Sequence, residues 1–417
     1  YLQLVSACVK EAGKTIPDAI ADIREAIDFC RYYGVLAKDL FREVKLPGPT
    51  GEKNLYRFKG KGLSVVISPW NFPIAIFIGQ ITAALVSGNT VIAKPAKQTS
   101  LVAMRCIQLL HQAGIPKEVL HFLPGEGAQI GRYLLADSRL SGVAFTGSLA
   151  TARLINQQLA KLPSIVPLIA ETGGQNVMLA DNSAHTEQLV QDVVQSAFNS
   201  AGQRCSALRV LYLPHESAEA TIKRIIGVMQ QLLIADPQQN TTDIGPVINQ
   251  QALAALQEHV ELMRQKANIL FQVELNKDLK SPCFFPPTLI EITSLSQLKE
   301  ENFGPILHII RYQSDQLEQV IDEINSSGYG LTLGIHSRIK RTIELVSKNA
   351  KVGNVYVNRD MIAAVVGVQP FGGMGLSGTG PKAGGPHYLL AFSNEQTVTT
   401  NTAAIGGNAA LLVKDLN

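Results

Sequence analysis

The stretch LSVVISPWNFPIAIFIGQITAALVSGNTVIAKPAKQTS, residues 63–100, decides the fold. A short β-branched run (63–67) gives way to the polar, proline-flanked turn Ser68-Pro69-Trp70-Asn71-Phe72-Pro73, then to a helical segment (74–86). A second β-branched run (90–93) leads into another helical segment (99–112). The alternation continues outward: strands are predicted at 119–123, 143–145 and 165–170, and helices at 127–137 and 150–162. Short apolar runs alternating with longer helical periods predict a parallel sheet covered by helices on both faces. Such sheets gather ligands at the carboxyl ends of their strands. Upstream, Ile20, Ile23, Ile27 and Cys30 recur at helical spacing between Pro17 and a Gly34 stop, predicting a helix over 17–33. After Gly174 the pattern is again mixed. Helices are predicted at 189–201, 252–264 and 316–325, and strands at 209–213, 306–311, 332–335 and 354–357.

The 417 residues allow two or three domains. With 46% hydrophobic and 17% charged residues, a large core is expected and disorder is not. The net charge of +3 gives no reason to expect nucleic acid or an anionic membrane as a partner. Five cysteines without CxxC spacing argue against a zinc site or disulfide framework and for a reducing compartment. No metal is expected. No apolar run reaches the ~20 residues needed to cross a bilayer. The chain begins at Tyr1 in what reads as a helix, so it is taken as part of a longer polypeptide.

Three residues carry candidate chemistry. Cys205 lies in Ala201-Gly202-Gln203-Arg204-Cys205-Ser206, where Gly202 permits close backbone approach and Arg204 offers the positive charge that favours a thiolate. Glu171 follows the predicted strand at 165–170 and precedes Gly173-Gly174, placing a carboxylate at a strand's carboxyl end. Asn71 is a neutral donor suited to an oxyanion that must later collapse. Phe145-Thr146-Gly147-Ser148 ends one strand and opens a helix, a setting suited to a pyrophosphate, although the GxGxxG fingerprint is absent. Each residue alone has an ordinary structural reading: Cys205 as a small buried hydrophobe, Glu171 as a cap, Asn71 as a turn residue, and Lys94 as a solvated loop charge. Their combination points to oxidation of an aldehyde through a thioester.

These motifs, together with Lys94–Thr99, Glu301-Asn302-Phe303-Gly304-Pro305 and Gln369-Pro370-Phe371-Gly372-Gly373, resemble the aldehyde dehydrogenase family in family order over nearly the whole chain. Within it the chain is most similar to L-glutamate γ-semialdehyde (1-pyrroline-5-carboxylate) dehydrogenases. More narrowly it resembles the dehydrogenase half of bacterial proline utilization A, through Glu11-Ala12-Gly13-Lys14-Thr15, residues 200–213 and residues 376–386. The resemblance implies an α/β fold. Residues 1–44 and 64–173 would form an N-terminally incomplete Rossmann-type NAD-binding domain, 174–386 a catalytic domain, and 45–63 with 387–417 a small β oligomerisation flap. It further implies Cys205 as nucleophile, Glu171 as deacylation base, and Asn71 with the Cys205 backbone N–H as oxyanion hole. Pro69, Trp70, Lys94, Gly147, Ser148, Glu301 and Phe303 would bind the cofactor. Arg204, Ser206, Ala363, Ala364, Phe72 and Phe371 would hold a substrate with an amino-acid head. NAD is the implied cofactor, but Lys97 stands where relatives carry a ribose-gripping Glu, which admits NADP. A homodimer or larger assembly, a proline dehydrogenase domain further toward the N-terminus, a role in proline catabolism and a bacterial cytoplasmic location are also implied. The rivals are a dehydrogenase for another aldehyde, a CoA-acylating enzyme and a non-catalytic assembly domain.

Overall fold

The computed structural model describes residues 1–276, 278–279 and 283–405. Two helices, α1 (Leu2–Ala12) and α2 (Ile16–Leu40), are followed by β1 (Val44–Leu46) and β2 (Glu52–Gly60). Next come β3 (Leu63–Ile67), α3 (Ala75–Val86), β4 (Thr90–Lys94), α4 (Ser100–Gln112) and β5 (Leu120–Phe122). The first half closes with α5 (Gly127–Leu134), β6 (Leu140–Gly147), α6 (Leu149–Leu159) and β7 (Leu168–Thr172). Strands β3 to β7 form a parallel sheet in the order β5-β4-β3-β6-β7. Its interior is the β-branched matter the sequence promised: Val65, Val66, Val91, Val143 and Ala144 are all buried. At ~1.5–3 kcal/mol for each large apolar side chain withdrawn from water, such packing outweighs the modest local preferences of single residues.

The second half contributes β8 (Val177–Ala180), α7 (Thr186–Phe198), β9 (Val210–Pro214), α8 (His215–Met229), α9 (Gln250–Lys266), β10 (Asn268–Gln272) and β11 (Thr288–Glu291). These are followed by β12 (Ile306–Tyr312), α10 (Leu317–Ser326), β13 (Tyr329–Gly330), β14 (Thr332–His336), α11 (Lys340–Asn349) and β15 (Asn354–Val357). The seven-stranded sheet runs β10-β11-β12-β9-β8-β14-β15, parallel except for the β10–β11 pair. A two-residue strand, β16 (Met374–Gly375), pairs with β13, and β17 (Ser393–Asn401) joins β1 and β2 in a separate three-stranded antiparallel sheet. Among the described residues, no helix is long and apolar enough to cross a membrane.

Two sequence expectations are corrected. The helix predicted to stop at Gly34 runs on to Leu40, because Leu36, Ala37 and Leu40 still pack on the core beneath α2. The strand predicted at 165–170 begins only at Leu168: Ile165 is fully exposed, and Pro167, with no N–H, precedes the ladder. Glu171 is therefore inside β7, paired opposite Thr146, and does not follow it.

Candidate active site

The Cys205 loop is shaped by its backbone before any side chain acts. At the end of α7, Ser200, Ala201 and Gly202 take left-handed conformations in succession, with φ of 55°, 55° and 66°. A Cβ at Gly202 would lie 2.2 Å from the Gly304 carbonyl oxygen, so only glycine lets the loop close on the 301–305 segment. The Ser200 hydroxyl donates to Asp18 Oδ2 at 2.7 Å, and Asn176 Nδ2 donates to the Cys205 and Ala207 carbonyls at 2.6 and 3.0 Å. Cys205 is thus presented on a turn fixed from both sides.

The electropositive setting expected around Cys205 is not what forms. The Arg204 guanidinium turns to Asp18 Oδ1 at 2.9 Å and to the Ser200 hydroxyl at 3.2 Å, and lies 5.2 Å from the Phe72 ring centre. Its charge is matched by a nearly buried carboxylate. Burial, with Glu301 and Glu171 adding negative potential, pushes the Cys205 thiol up to about 12. The resting group is therefore a thiol.

Asn71 follows the carboxyl end of β3, buried on the turn of Pro69, Trp70 and Phe72. Its Nδ2 donates to the Gln203 carbonyl at 3.1 Å, and its own carbonyl accepts from Lys14 Nζ at 2.7 Å. One amide N–H is committed to the Cys205 loop, and an amide nitrogen carries two.

Glu171 packs its carboxyl against Gly372 and Gly373, where any Cβ at Gly372 would fall 2.6 Å from Oε1. The Gly373 N–H donates to Oε2 at 3.1 Å, while Oε1 is buried without a partner. Burial pushes this carboxyl up to about 8, against the pull of the Gly373 N–H and the Lys382 ammonium.

A cavity of about 730 Å³ is lined by both Cys205 and Glu171. Arg204, Ser206, Ala363, Ala364, Phe72 and Phe371 all face it. The remaining predicted residues lie outside its lining. Pro69 and Trp70 follow β3, Lys94 ends β4, Gly147 ends β6, and Ser148 caps α6 by accepting from the Thr151 N–H at 3.3 Å. Lys94 Nζ donates to the Pro95 carbonyl at 3.0 Å and lies 3.9 Å from where a Gly127 Cβ would sit, at the first turn of α5. Glu301 is bound to Arg209 at 2.9 Å, and Phe303 meets Trp70 edge-on at 5.6 Å. Lys97 is ion-paired with Glu126.

A nicotinamide cofactor is compatible with this donor set. The Ser68 hydroxyl at the end of β3 and Gln80 Oε1 are buried polar atoms without partners, and Gln80 Nε2 donates to the Thr146 hydroxyl at 2.8 Å. The N-termini of α5 at Gly127 and α6 at Leu149 suit an anion such as a pyrophosphate.

Sequence reasoning missed four residues on α2 and just before it. Asp18, Asp22 and Glu25 recur at i, i+4 and i+7 on one face of α2, a spacing that could have been read as a single acidic stripe. Asp18 holds Arg204, Asp22 accepts from the Ala75 N–H at 2.7 Å, and Glu25 lines the cavity, its carboxyl pushed up to about 7 by burial and by Asp22. Lys14 pairs with Asp22 at 3.8 Å and lies 4.3 Å from the Phe72 ring centre, so α2 and its approach brace the turn that carries Asn71.

Comparison with known proteins gives the following. The profile of the aldehyde dehydrogenase family matches residues 2–398. The bifunctional protein PutA of Escherichia coli K12 is 51% identical over 398 residues, which is 93% of this chain and 29% of PutA. The 1-pyrroline-5-carboxylate dehydrogenase of Geobacillus kaustophilus is 37% identical over 396 residues, 94% of this chain and 76% of that protein. Among solved structures, a bifunctional proline utilization A (PutA) superposes with a TM-score of 0.94 at 52% identity, covering 97% of this chain and 41% of its own. A mutant of Thermus thermophilus 1-pyrroline-5-carboxylate dehydrogenase gives 0.91 at 33% identity, covering 95% of this chain and 78% of its own. The chain spans less than a third of the length of the curated PutA proteins it matches.

Proposed function

This chain belongs to the aldehyde dehydrogenase family, and from that footing we propose that it oxidises L-glutamate γ-semialdehyde to L-glutamate with NAD as the hydride acceptor. The observation that carries this reading is the single cavity lined at once by Cys205, Glu171, Ser206 and the Ala363-Ala364 loop. The likeness to relatives named 1-pyrroline-5-carboxylate dehydrogenase supports the semialdehyde over other aldehydes.

In this mechanism the Cys205 thiol passes its proton to water in the cavity as the sulfur adds to the aldehyde carbon. The oxygen of the adduct takes the Asn71 N–H left over from Gln203; one such donor is typically worth ~2.7–4 kcal/mol to the transition state. The nicotinamide, when bound, accepts the hydride. The carbonyl reforms as a thioester on Cys205. Glu171, once ionised, takes a proton from water; hydroxide adds to the thioester, and collapse expels the Cys205 thiolate and releases the acid. Ser206 and the backbone of Ala363-Ala364 hold the amino-acid head, since the charge of Arg204 is already matched by Asp18. Phe72 and Phe371 enclose the aliphatic part.

Pro69, Trp70, Lys94, Gly147, Ser148, Glu301 and Phe303 hold the cofactor. The Lys97 charge is taken up by Glu126, and a carboxylate beside that lysine disfavours a 2′-phosphate, which supports NAD over NADP. In the longer polypeptide this reaction completes proline breakdown after a proline dehydrogenase domain. The three-stranded sheet of β1, β2 and β17 joins subunits into a dimer or larger assembly in the bacterial cytoplasm.

The test compares reduced-nicotinamide formation from glutamate semialdehyde and from simple aliphatic aldehydes, with NAD⁺ and NADP⁺ in parallel. Preferred turnover of the semialdehyde with NAD⁺, lost in Cys205→Ala, is expected. Near-normal turnover by Cys205→Ala, or equal use of simple aldehydes, would overturn the assignment.

A further inference from the structure

Arg209 takes no part in the chemistry described so far, yet it is among the largest fully buried side chains in the protein. Its guanidinium sits between two loops. Nη1 donates to the Gly202 carbonyl at 2.7 Å and to the Gly304 carbonyl at 3.2 Å. Nη2 donates to the Arg204 carbonyl at 3.0 Å and to Glu301 Oε1 at 2.9 Å. Two of these acceptors lie within three residues before Cys205; the other two belong to the 301–304 segment. The guanidinium also lies 5.2 Å from the Phe303 ring centre.

The position of Arg209 is itself fixed. It lies one residue before β9, its N–H donates to the Asn176 carbonyl at 3.0 Å, and its carbonyl accepts from the His308 N–H at 2.9 Å. Glu301 has no freedom on its other side: a Cβ at Gly173 would lie 1.6 Å from Oε2, so the carboxylate rests directly on that glycine backbone. The carboxylate is thereby placed by one cation, and the same cation places the Cys205 turn. An ammonium cannot reproduce this, because four acceptors on two loops require a planar fork of several N–H groups.

We propose that Arg209 is a positioning residue that fixes the distance between the Cys205 sulfur and the nicotinamide end of the cofactor site by binding both loops at once. The proposal rests on the hydride-transfer reading above and adds to it the element that aligns donor and acceptor. Effective alignment of this kind is where a displacement of about 1 Å can cost about 100-fold in rate.

Arg209→Lys keeps the charge and loses the fork. NAD⁺ binding by calorimetry, the pre-steady-state burst of reduced cofactor, and the KM values for both substrates are to be measured for wild type, Arg209→Lys, Glu301→Gln and the double variant. Arg209→Lys should weaken NAD⁺ binding and slow the burst by tenfold or more, leaving KM for the semialdehyde within twofold. The double variant should lose no more NAD⁺ affinity than the weaker single, because the two residues act as one unit. Wild-type NAD⁺ affinity and burst rate in Arg209→Lys, or additive losses in the double variant, would overturn the proposal.

If Arg209→Lys does not fold, wild-type amide exchange decides. ADP-ribose, which carries the ribose but no nicotinamide, should slow exchange over 202–207 as well as 301–305; protection confined to 301–305 would refute the coupling. Failure of wild-type protein to bind NAD⁺ at all would remove the functional reading itself, and this proposal with it.

Discussion

Replacing Glu171 by Gln tests its proposed role in deacylation. The carboxyl is buried, its Oε1 lacks a partner, and burial lifts it from 4.5 to about 8. A base must be ionised to act, so at pH 7 only about a tenth of the molecules hold the competent form. If deacylation limits turnover, the steady-state rate should climb about 50-fold between pH 6 and pH 8 and then level off. The burst phase reports thiol addition and hydride transfer, and with Cys205 pushed up to about 12 it should keep rising above pH 8. Stopped-flow absorbance of the reduced nicotinamide separates the two phases. Glu171→Gln should give a burst of one equivalent and then a stall, since an amide cannot take the proton from water. The same shift has a consequence for stability, and its sign follows from the direction. A carboxyl whose folded value lies above its unfolded value stabilises the fold fully below about 4.5, and that contribution is lost as pH rises through about 8. Glu171→Gln should therefore be more stable than wild type at pH 9.5, by at most about 5 kcal/mol. A linear time course at the wild-type rate in Glu171→Gln, or a flat steady-state profile from pH 6 to 8, would refute the assignment.

Gly202→Ala should cost ~1–2 kcal/mol for the left-handed backbone alone, with a further penalty because the new Cβ meets the Gly304 backbone. A lowered melting temperature together with a burst reduced at least tenfold is expected, and a wild-type burst would show that the loop contact is irrelevant to hydride transfer. Lys14→Met removes the buried ammonium that serves Asp22 and the Asn71 carbonyl, and should destabilise by ~3–5 kcal/mol in chemical denaturation. An unchanged denaturation midpoint would mean that Asp22 finds another partner or takes up a proton without loss.

The parallel sheets were legible because their central strands are buried and read as short, largely apolar runs, as in β3 and β9. Cys205, Glu171 and Asn71 could be picked out as candidates because each stands beside glycine or proline punctuation that marks a shaped loop, and the structure brings Cys205 and Glu171 to one cavity. Their electrostatics were not legible. Arg204 sits next to Cys205 in sequence but is claimed by Asp18, 186 residues away along the chain, and no local pattern announces that pairing. Arg209 was invisible for the same reason: in Ala207-Leu208-Arg209-Val210 it reads as an ordinary charge before a strand, and only the meeting of two distant loops gives its guanidinium four acceptors. The end of α2 was misjudged because tertiary packing of Leu36 and Leu40 overrides the weak stop of a single glycine.

Trp70 is the only tryptophan among the 417 residues, and it meets Phe303 at right angles, a ring that also lies 5.2 Å from the Arg209 guanidinium. Excited where tyrosine does not absorb, the emission of this chain therefore originates at one known point, the seam between the 68–73 turn and the 301–305 segment. An experimenter needs no label to watch that seam. Shifts in intensity or anisotropy on mixing would report the arrival of a ligand at this seam, separately from the absorbance that reports the chemistry.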